Sequence, residues 1–234
     1  MKKISYLSVI VLFLLESCVG TPGFTQKKET RNVTFFTRVG LAIAGDLYLT
    51  QGDKTEVILE GPEGLLKEIK TDVDGDLLRI KYKSWGPHRG KVNIYITMHD
   101  IEGLSVSGSG NIKTQTPIEA KKLSLAVSGS GNIRMDDLDA KDISAKISGS
   151  GNINLSGKNE AGSLDVAISG SGDINCAGLP AGDVNVRISG SGDVRVYATK
   201  HLKAAVAGSG GIQYKGTPVV DAKVSGSGKV RPVN

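Results

Sequence analysis

The phrase Ser-Gly-Ser-Gly begins at Ser107, Ser128, Ser148, Ser169, Ser189 and Ser225, with a variant, Ala-Gly-Ser-Gly, at Ala207. Successive copies are 21, 20, 21, 20, 18 and 18 residues apart. A period near twenty confines the chain to architectures in which each repeat buries its apolar face only by stacking on its neighbours. Upstream of the glycines the apolar residues alternate: Leu123, Leu125, Val127; Ile143, Ala145, Ile147; Leu164, Val166, Ile168; Val184, Val186, Ile188. A period of two means one buried strand face. Two places after the last glycine stands another aliphatic residue in every copy: Ile112, Ile133, Ile153, Ile174, Val194, Ile212 and Val230. A flexible linker has no reason to keep it. The two glycines permit a positive φ or a close approach to the coil below. Each repeat thus reads as strand, glycine corner, short strand and loop. The expected fold is an all-β, parallel β-helix with about 18 to 21 residues per coil, in which Val127 stacks over Val106 and Ile147 over Val127 at about 4.8 Å per coil.

The regular helix is expected over residues 101–234, preceded by a less regular β region over 32–100 that forms either degenerate coils or a cap. Gly45-Asp46-Leu47 and Gly75-Asp76-Leu77 echo the corner phrase Gly-Asn-Ile, and Pro62 to Ile69 suits one helical turn. Residues 1–17 have the form of a signal peptide: Lys2 and Lys3 precede an apolar run from Val9 to Leu15 that is too short to span a bilayer. Leu15-Glu16-Ser17-Cys18 is similar to the bacterial lipoprotein signal, which makes Cys18 the expected lipidated residue and 18–31 a tether to the membrane. Glu16 is unusual in that motif, and an ordinary signal peptide cleaved nearby is the alternative. The expected location is the bacterial cell envelope, anchored by lipid at the outer membrane, with the membrane face left open.

The formal charge is +5, and removal of residues 1–17 takes away two lysines and one glutamate, leaving +4. No basic run of five occurs and cations alternate with acids, which argues against a nucleic-acid partner. His88, His99 and His201 share no motif with a nucleophile, so no catalytic residue is assigned. Cys176 is the only thiol besides Cys18 and reads as a small core or loop residue.

The polar residue after each second glycine forms a column of Asn111, Asn132, Asn152, Asp173 and Asp193, followed by Gly211 and Lys229. Stacked Asn side chains can hydrogen-bond along the axis, and Asn and Asp also favour turns, so a structural corner ladder is the plain reading. Asp173 and Asp193 on adjacent coils could instead share Ca²⁺ or do acid/base work. Calcium-binding solenoids of the nonapeptide type have a much shorter period, and no cofactor or metal is assigned. A second column, facing outward, reads Ala126, Lys146, Ala167, Arg187, Ala205 and Lys223. Lys146, Arg187 and Lys223 would line one face at alternate coils and could attract an acidic glycan, unless they form an ordinary solvated face. Trp85, in the loop Ser84-Trp85-Gly86-Pro87-His88-Arg89-Gly90, is expected to pack over the end of the helix or to stack on a sugar ring.

The Gly-Ser-Gly-Asn-Ile stretches at 108–112, 129–133 and 149–153, their Asp forms at 170–174 and 190–194, and the Leu-Leu-Lys-Glu-Ile and Asp-Gly-Asp-Leu-Leu-Arg-Ile stretches carry a family resemblance. Over about residues 31–234 the chain resembles the family called "putative auto-transporter adhesin, head GIN domain", found largely in Bacteroidetes envelopes. The resemblance implies a right-handed β-helix and a role in adhesion, and it supplies no catalytic residue. The expected function is a non-enzymatic envelope lipoprotein whose rigid helix presents an adhesive or glycan-binding surface, with a glycan or host-cell ligand as partner. The alternatives are a β-helical polysaccharide-active enzyme and a structural component that self-associates as a homo-oligomer.

Overall fold

In the computed structural model, which describes residues 26–233, the N-terminal third holds β1 (Gln26–Arg31), β2 (Arg38–Ala42), β3 (Asp46–Gln51), β4 (Glu56–Pro62), helix α1 (Glu63–Lys67), β5 (Ile69–Asp74), β6 (Leu77–Tyr82) and β7 (Asn93–Met98). The repeats supply β8 (Gly103–Gly108), β9 (Asn111–Thr114), β10 (Ile118–Gly129), β11 (Asn132–Met135), β12 (Leu138–Gly149), β13 (Asn152–Ser156) and β14 (Ala161–Gly170). They continue with β15 (Asp173–Gly190), β16 (Val194–Gly208), β17 (Gly211–Lys215), β18 (Val219–Gly226) and β19 (Lys229–Pro232). The cleavage and lipidation region around Cys18 lies outside the described residues.

The repeats stack in parallel, in the expected register. Val127 pairs with Val106 below and Ile147 above, and the column runs on through Ile168, Ile188 and Val206 to Val224. From Val106 to Val206 no member exceeds 3% exposure. A second column, Ile112, Ile133, Ile153, Ile174, Val194 and Ile212, closes the core from the short strand after the corner. Each such aliphatic side chain is worth about 1.5–3 kcal/mol when fully buried, so the columns supply the main driving force.

Both glycines of a corner pass close to the coil below, and the first also needs its backbone freedom. Gly149 has φ +139°, a region L side chains rarely adopt, and a Cβ there would run into the Gly129 carbonyl oxygen. At Gly151 the same atom would run into the Gly131 carbonyl oxygen and come within 2.6 Å of Val127 Cγ1. The close passage lets the corner bond downward: Ser150 and Gly151 donate their N–H groups to the Gly129 carbonyl at 2.9 and 3.0 Å, and Asn152 donates to that of Gly131 at 3.2 Å.

The N-terminal third joins the same sheet, but its coils do not stack in chain order. β2 and β3 pair in parallel with β8 and β9 on one side and with β6 and β7 on the other. The coil from Arg38 to Gln51 is thus sandwiched between later segments, and Val39, Leu41, Leu47 and Leu49 are fully buried. Antiparallel strands close this end: β5 pairs with β6, β4 with β7, and β1 with β4. The expected helical turn is α1, begun by Pro62, with Leu65 and Leu66 buried and Glu63 paired with Lys67 at 3.1 Å. The cap blunts what would otherwise be a raw strand edge.

Three expectations are corrected here. Residues 26–31, read as part of the tether, form β1, because their backbone pairs antiparallel with β4 from Gln26–Pro62 to Arg31–Val57 and Arg31 Nη2 donates to the Leu66 carbonyl at 2.7 Å, with Lys27 and Lys28 set beside Glu63 and Glu60. Gly75-Asp76 is not a corner but the two-residue turn of the β5–β6 hairpin, where Asp74 faces Leu77 and Gly75 has φ +63°. Trp85 is fully exposed and packs over nothing, while Tyr82 stacks with His88 in the same loop.

At the other end, β18 pairs only with β16 and β19 only with β17, so no described strand covers their outer sides. Val219 and Val224 are accordingly 71% and 45% exposed. Pro232 in β19 has no N–H to offer a neighbour.

Candidate functional site

The corner column is a continuous hydrogen-bonded ladder in its first half. Asn152 Nδ2 donates to Asn132 Oδ1, Asn132 Nδ2 to Asn111 Oδ1, and Asn111 Nδ2 to Asp46 Oδ1, each at 2.8 Å. An amide both donates and accepts, so a stack of Asn side chains passes the bond along the axis. Asp46 ends the series as a pure acceptor, and Lys91 Nζ takes its other oxygen at 2.8 Å. These two partners, Asn111 first, hold the Asp46 carboxyl below the usual range. A carboxylate cannot donate, and above Asn152 the ladder changes form: Asp173 Oδ1 accepts the backbone N–H of Asp193 at 2.8 Å, and Asp193 Oδ1 accepts that of Gly211 at 2.7 Å. Asp173 and Asp193 are adjacent, but each spends an oxygen on the coil above. Among the described residues no group of three His, Cys, Asp or Glu side chains is placed to hold a metal ion.

Lys146, Arg187 and Lys223 do share one face. In-register pairing places Ala126, Lys146, Ala167, Arg187, Ala205 and Lys223 in a single row along β10, β12, β14, β15, β16 and β18. Two residues further on runs a parallel row of Ser128, Ser148, Ser169, Ser189, Ala207 and Ser225. Between the rows lies an open trough of about 580 Å³. Strand periodicity explains it: positions i and i+2 both point outward, and the small Ala and Ser side chains leave the backbone between them accessible. The three cations are exposed and the intervening alanines half-buried. Among the described residues none of the three cations is in a salt bridge. The neighbouring row reads Asp165, Asn185, Lys203 and Asp221, and Asn185 donates to Asp165 at 2.8 Å, which orients that carboxylate but leaves its charge.

Two surfaces escaped the sequence reading. On the opposite side of the corner, Tyr95 and Tyr48 stack at 5.3 Å, and the row continues upward through Lys113, Arg134, Asn154 and Asn175. The out-of-order coil brings Tyr48 and Tyr95 together, and no sequence spacing reveals that. A wider cleft of about 1110 Å³ lies between Gln51, His99, Asp100, Glu102, Glu119 and Asp139. Gln51 stitches it, donating to the His99 and Glu119 carbonyls at 2.9 and 3.0 Å and accepting from Glu119 N–H at 2.7 Å.

Neither surface assembles a nucleophile. His201 Nδ1 meets Asp183 Oδ1 at 2.8 Å, both exposed, with no Ser or Cys bonded to the ring among the described residues. Cys176 is fully buried in β15, and burial pushes its thiol up to about 12. It is therefore protonated and inert at neutral pH.

Residues 35–218 match the family described as "Putative auto-transporter adhesin, head GIN domain". Among solved structures, a putative adhesin from Bacteroides fragilis NCTC 9343 is similar over 91% of this chain and 99% of that one, at 26% identity and a TM-score of 0.86. A putative adhesin from Parabacteroides merdae ATCC 43184 is similar over 89% and 96%, at 25% identity and a TM-score of 0.73. A putative lipid binding protein from Parabacteroides distasonis ATCC 8503 shares the fold over 89% and 97%, at 22% identity and a TM-score of 0.75. No curated protein matches the sequence.

Proposed function

Because the chain belongs to the family described as "Putative auto-transporter adhesin, head GIN domain", we propose that it is a non-enzymatic, lipid-anchored envelope adhesin that contacts anionic glycans through the trough. The carrying observation is the row of three exposed cations, Lys146, Arg187 and Lys223, set over small side chains with no acid paired to them among the described residues. A rigid, in-register sheet fixes the backbone positions of these residues, so a ligand has only their side chains to order, at about 0.5–1.5 kcal/mol each. The lipid anchor rests on the sequence around Cys18 alone. Attachment there would leave residues 19–25 as the link between the membrane and β1.

Cells producing the full chain should retain beads coated with an acidic polysaccharide, and raised salt should weaken retention. Changing Lys146, Arg187 and Lys223 together to Ala should cut it at least tenfold. Retention equal to wild type would remove the trough from the adhesive role. If beads bind only after the cells are opened, outward display is wrong while glycan contact stands.

Self-association is a second reading, favoured by the uncovered coil of β18 with Val219, Val220 and Val224 exposed. An edge strand with apolar neighbours is a template for pairing with another chain. On this reading the purified protein sediments as a concentration-dependent oligomer, and Val219→Lys with Val224→Lys returns it to a monomer. A wild-type chain that stays monomeric at high concentration discards it. A polysaccharide-active enzyme has less support, since the carboxylates of Asp173 and Asp193 are tied to backbone N–H groups.

A further inference from the structure

Cations alternate strictly with alanines along the trough: Ala126, Lys146, Ala167, Arg187, Ala205, Lys223. Neighbouring coils are about 4.8 Å apart, so successive cations stand about 9.6 Å apart along the axis. From this spacing we infer that the trough recognises a linear glycan bearing one carboxylate per disaccharide, lying parallel to the solenoid axis. The inference rests on the glycan-binding reading above and names its ligand class.

In an extended chain of diequatorially linked sugars, one ring with its bridging oxygen has a length close to the coil spacing, which is about 4.8 Å. Each ring would then sit over one coil, and only every second ring would meet a cation. At the alanine coils no long side chain stands in the way, so a flat ring can approach the sheet. The serine row offers a hydroxyl at nearly every coil, able to donate to or accept from sugar hydroxyls. Arg187 has the planar fork that pairs both oxygens of a carboxylate. A polymer with an acid on every ring would place half its charges over Ala167 and Ala205, off the cation row, with only Lys203 of the neighbouring row near the second of them. Asp221 lies two residues from Lys223 on the same strand, whereas Asp165 stands on the coil between Lys146 and Arg187 and is only diagonal to each, so these two are the less screened pair of subsites.

The test moves a charge without changing the total. In Lys146→Ala with Ala167→Lys, the cation shifts by one coil and stands beside Arg187 instead of two coils away. Binding of the purified full chain is measured by calorimetry to a hyaluronan octasaccharide, which alternates acidic and neutral sugars, and to an oligogalacturonate of equal length, acidic at every sugar but joined through axial bonds, so that it reads total charge and not a two-coil repeat. The shifted variant should lose at least tenfold in affinity for hyaluronan and lose nothing for oligogalacturonate. Arg187→Ala should also lose hyaluronan binding, with Arg187→Lys restoring part of it. Thermal melts of each variant confirm that the fold is retained, and the Arg187 pair decides the matter should the shifted variant unfold. If the shifted variant binds hyaluronan as the wild type does while the triple alanine variant does not, charge spacing is overturned and the glycan reading survives. Wild-type protein that binds neither polymer, or a triple variant that binds both undiminished, overturns the two together.

Discussion

Ile147→Asp should unfold the solenoid or lower its melting temperature by more than about 10 °C, whereas Lys146→Asp, one residue away, should barely move it. Ile147 is 2% exposed and packs between Val127 and Ile168, the residues of the coils below and above. Removing its side chain forfeits about 2–5 kcal/mol, and burying a carboxyl with no partner adds to the loss. Burial raises the pKa of the new group. A carboxyl whose folded pKa is raised is most tolerated while protonated, so the deficit should shrink as the pH falls below the new pKa and grow as it rises. Because each coil contacts only its neighbours, the damage should begin locally and spread. Hydrogen exchange would then show the coils around Ile147 losing protection first. Thermal melts of the two variants across pH 4 to 8 check the claim, and an Ile147→Asp protein that melts like wild type would refute the stacked register.

How much of this architecture was legible depended on whether a residue's environment repeats. Val127 and Ile147 could be placed because the alternation and the period together leave one register in which every apolar face turns inward. The order of the N-terminal coils could not, since β2 and β6 alternate equally well and nothing local says that Arg38 pairs with both Gly103 and Leu77. That order follows from the route of β4, α1 and β5 around the end, a tertiary matter. Gly45-Asp46 and Gly75-Asp76 show the same limit: one is a corner whose Asp joins the ladder, the other a hairpin turn. β1 was hidden because Lys27, Lys28 and Arg31 read as a polar tether, while their partners, Glu63, Glu60 and Leu66, lie more than thirty residues away. At the candidate site the row of cations followed from the repeat, but its trough did not, since that depends on how much room the alanine and serine side chains leave. The Asn ladder was legible as a column, and the switch to side-chain capture of backbone N–H groups at Asp173 follows from the missing donor of a carboxylate.

Gly151→Ala should cost more than about 3 kcal/mol, while Gly64→Ala should leave the protein unchanged or stabilise it by up to about 1 kcal/mol. Both changes add a single methyl group. Gly64 lies in α1, a Cβ there meets nothing within 4 Å, and its φ is not in the left-handed region, so the gain comes from a less flexible unfolded chain. At Gly151 the same atom would collide with the Gly131 carbonyl and with Val127 Cγ1. The carbonyl cannot step aside, because Asn152 N–H is bonded to it, and moving the coil outward would stretch the bonds that Ser150 and Gly151 make to Gly129. The Asn132–Asn152 rung of the ladder lies on the same two coils and would open with them. Gly149→Ala carries a second cost besides its collision with the Gly129 carbonyl, its φ of +139°, and the two losses should therefore respond differently to D-alanine at the same positions. D-alanine accepts positive φ and carries its methyl group in the other direction. It should recover stability at Gly149, where it relieves the strained φ and turns the methyl group away from the Gly129 carbonyl, whereas at Gly151, whose φ is not positive, it has no conformational strain to relieve. Chemical denaturation of semisynthetic proteins carrying each residue would measure both. Equal rescue at the two sites would mean that positive φ adds nothing at Gly149 to the cost of close approach.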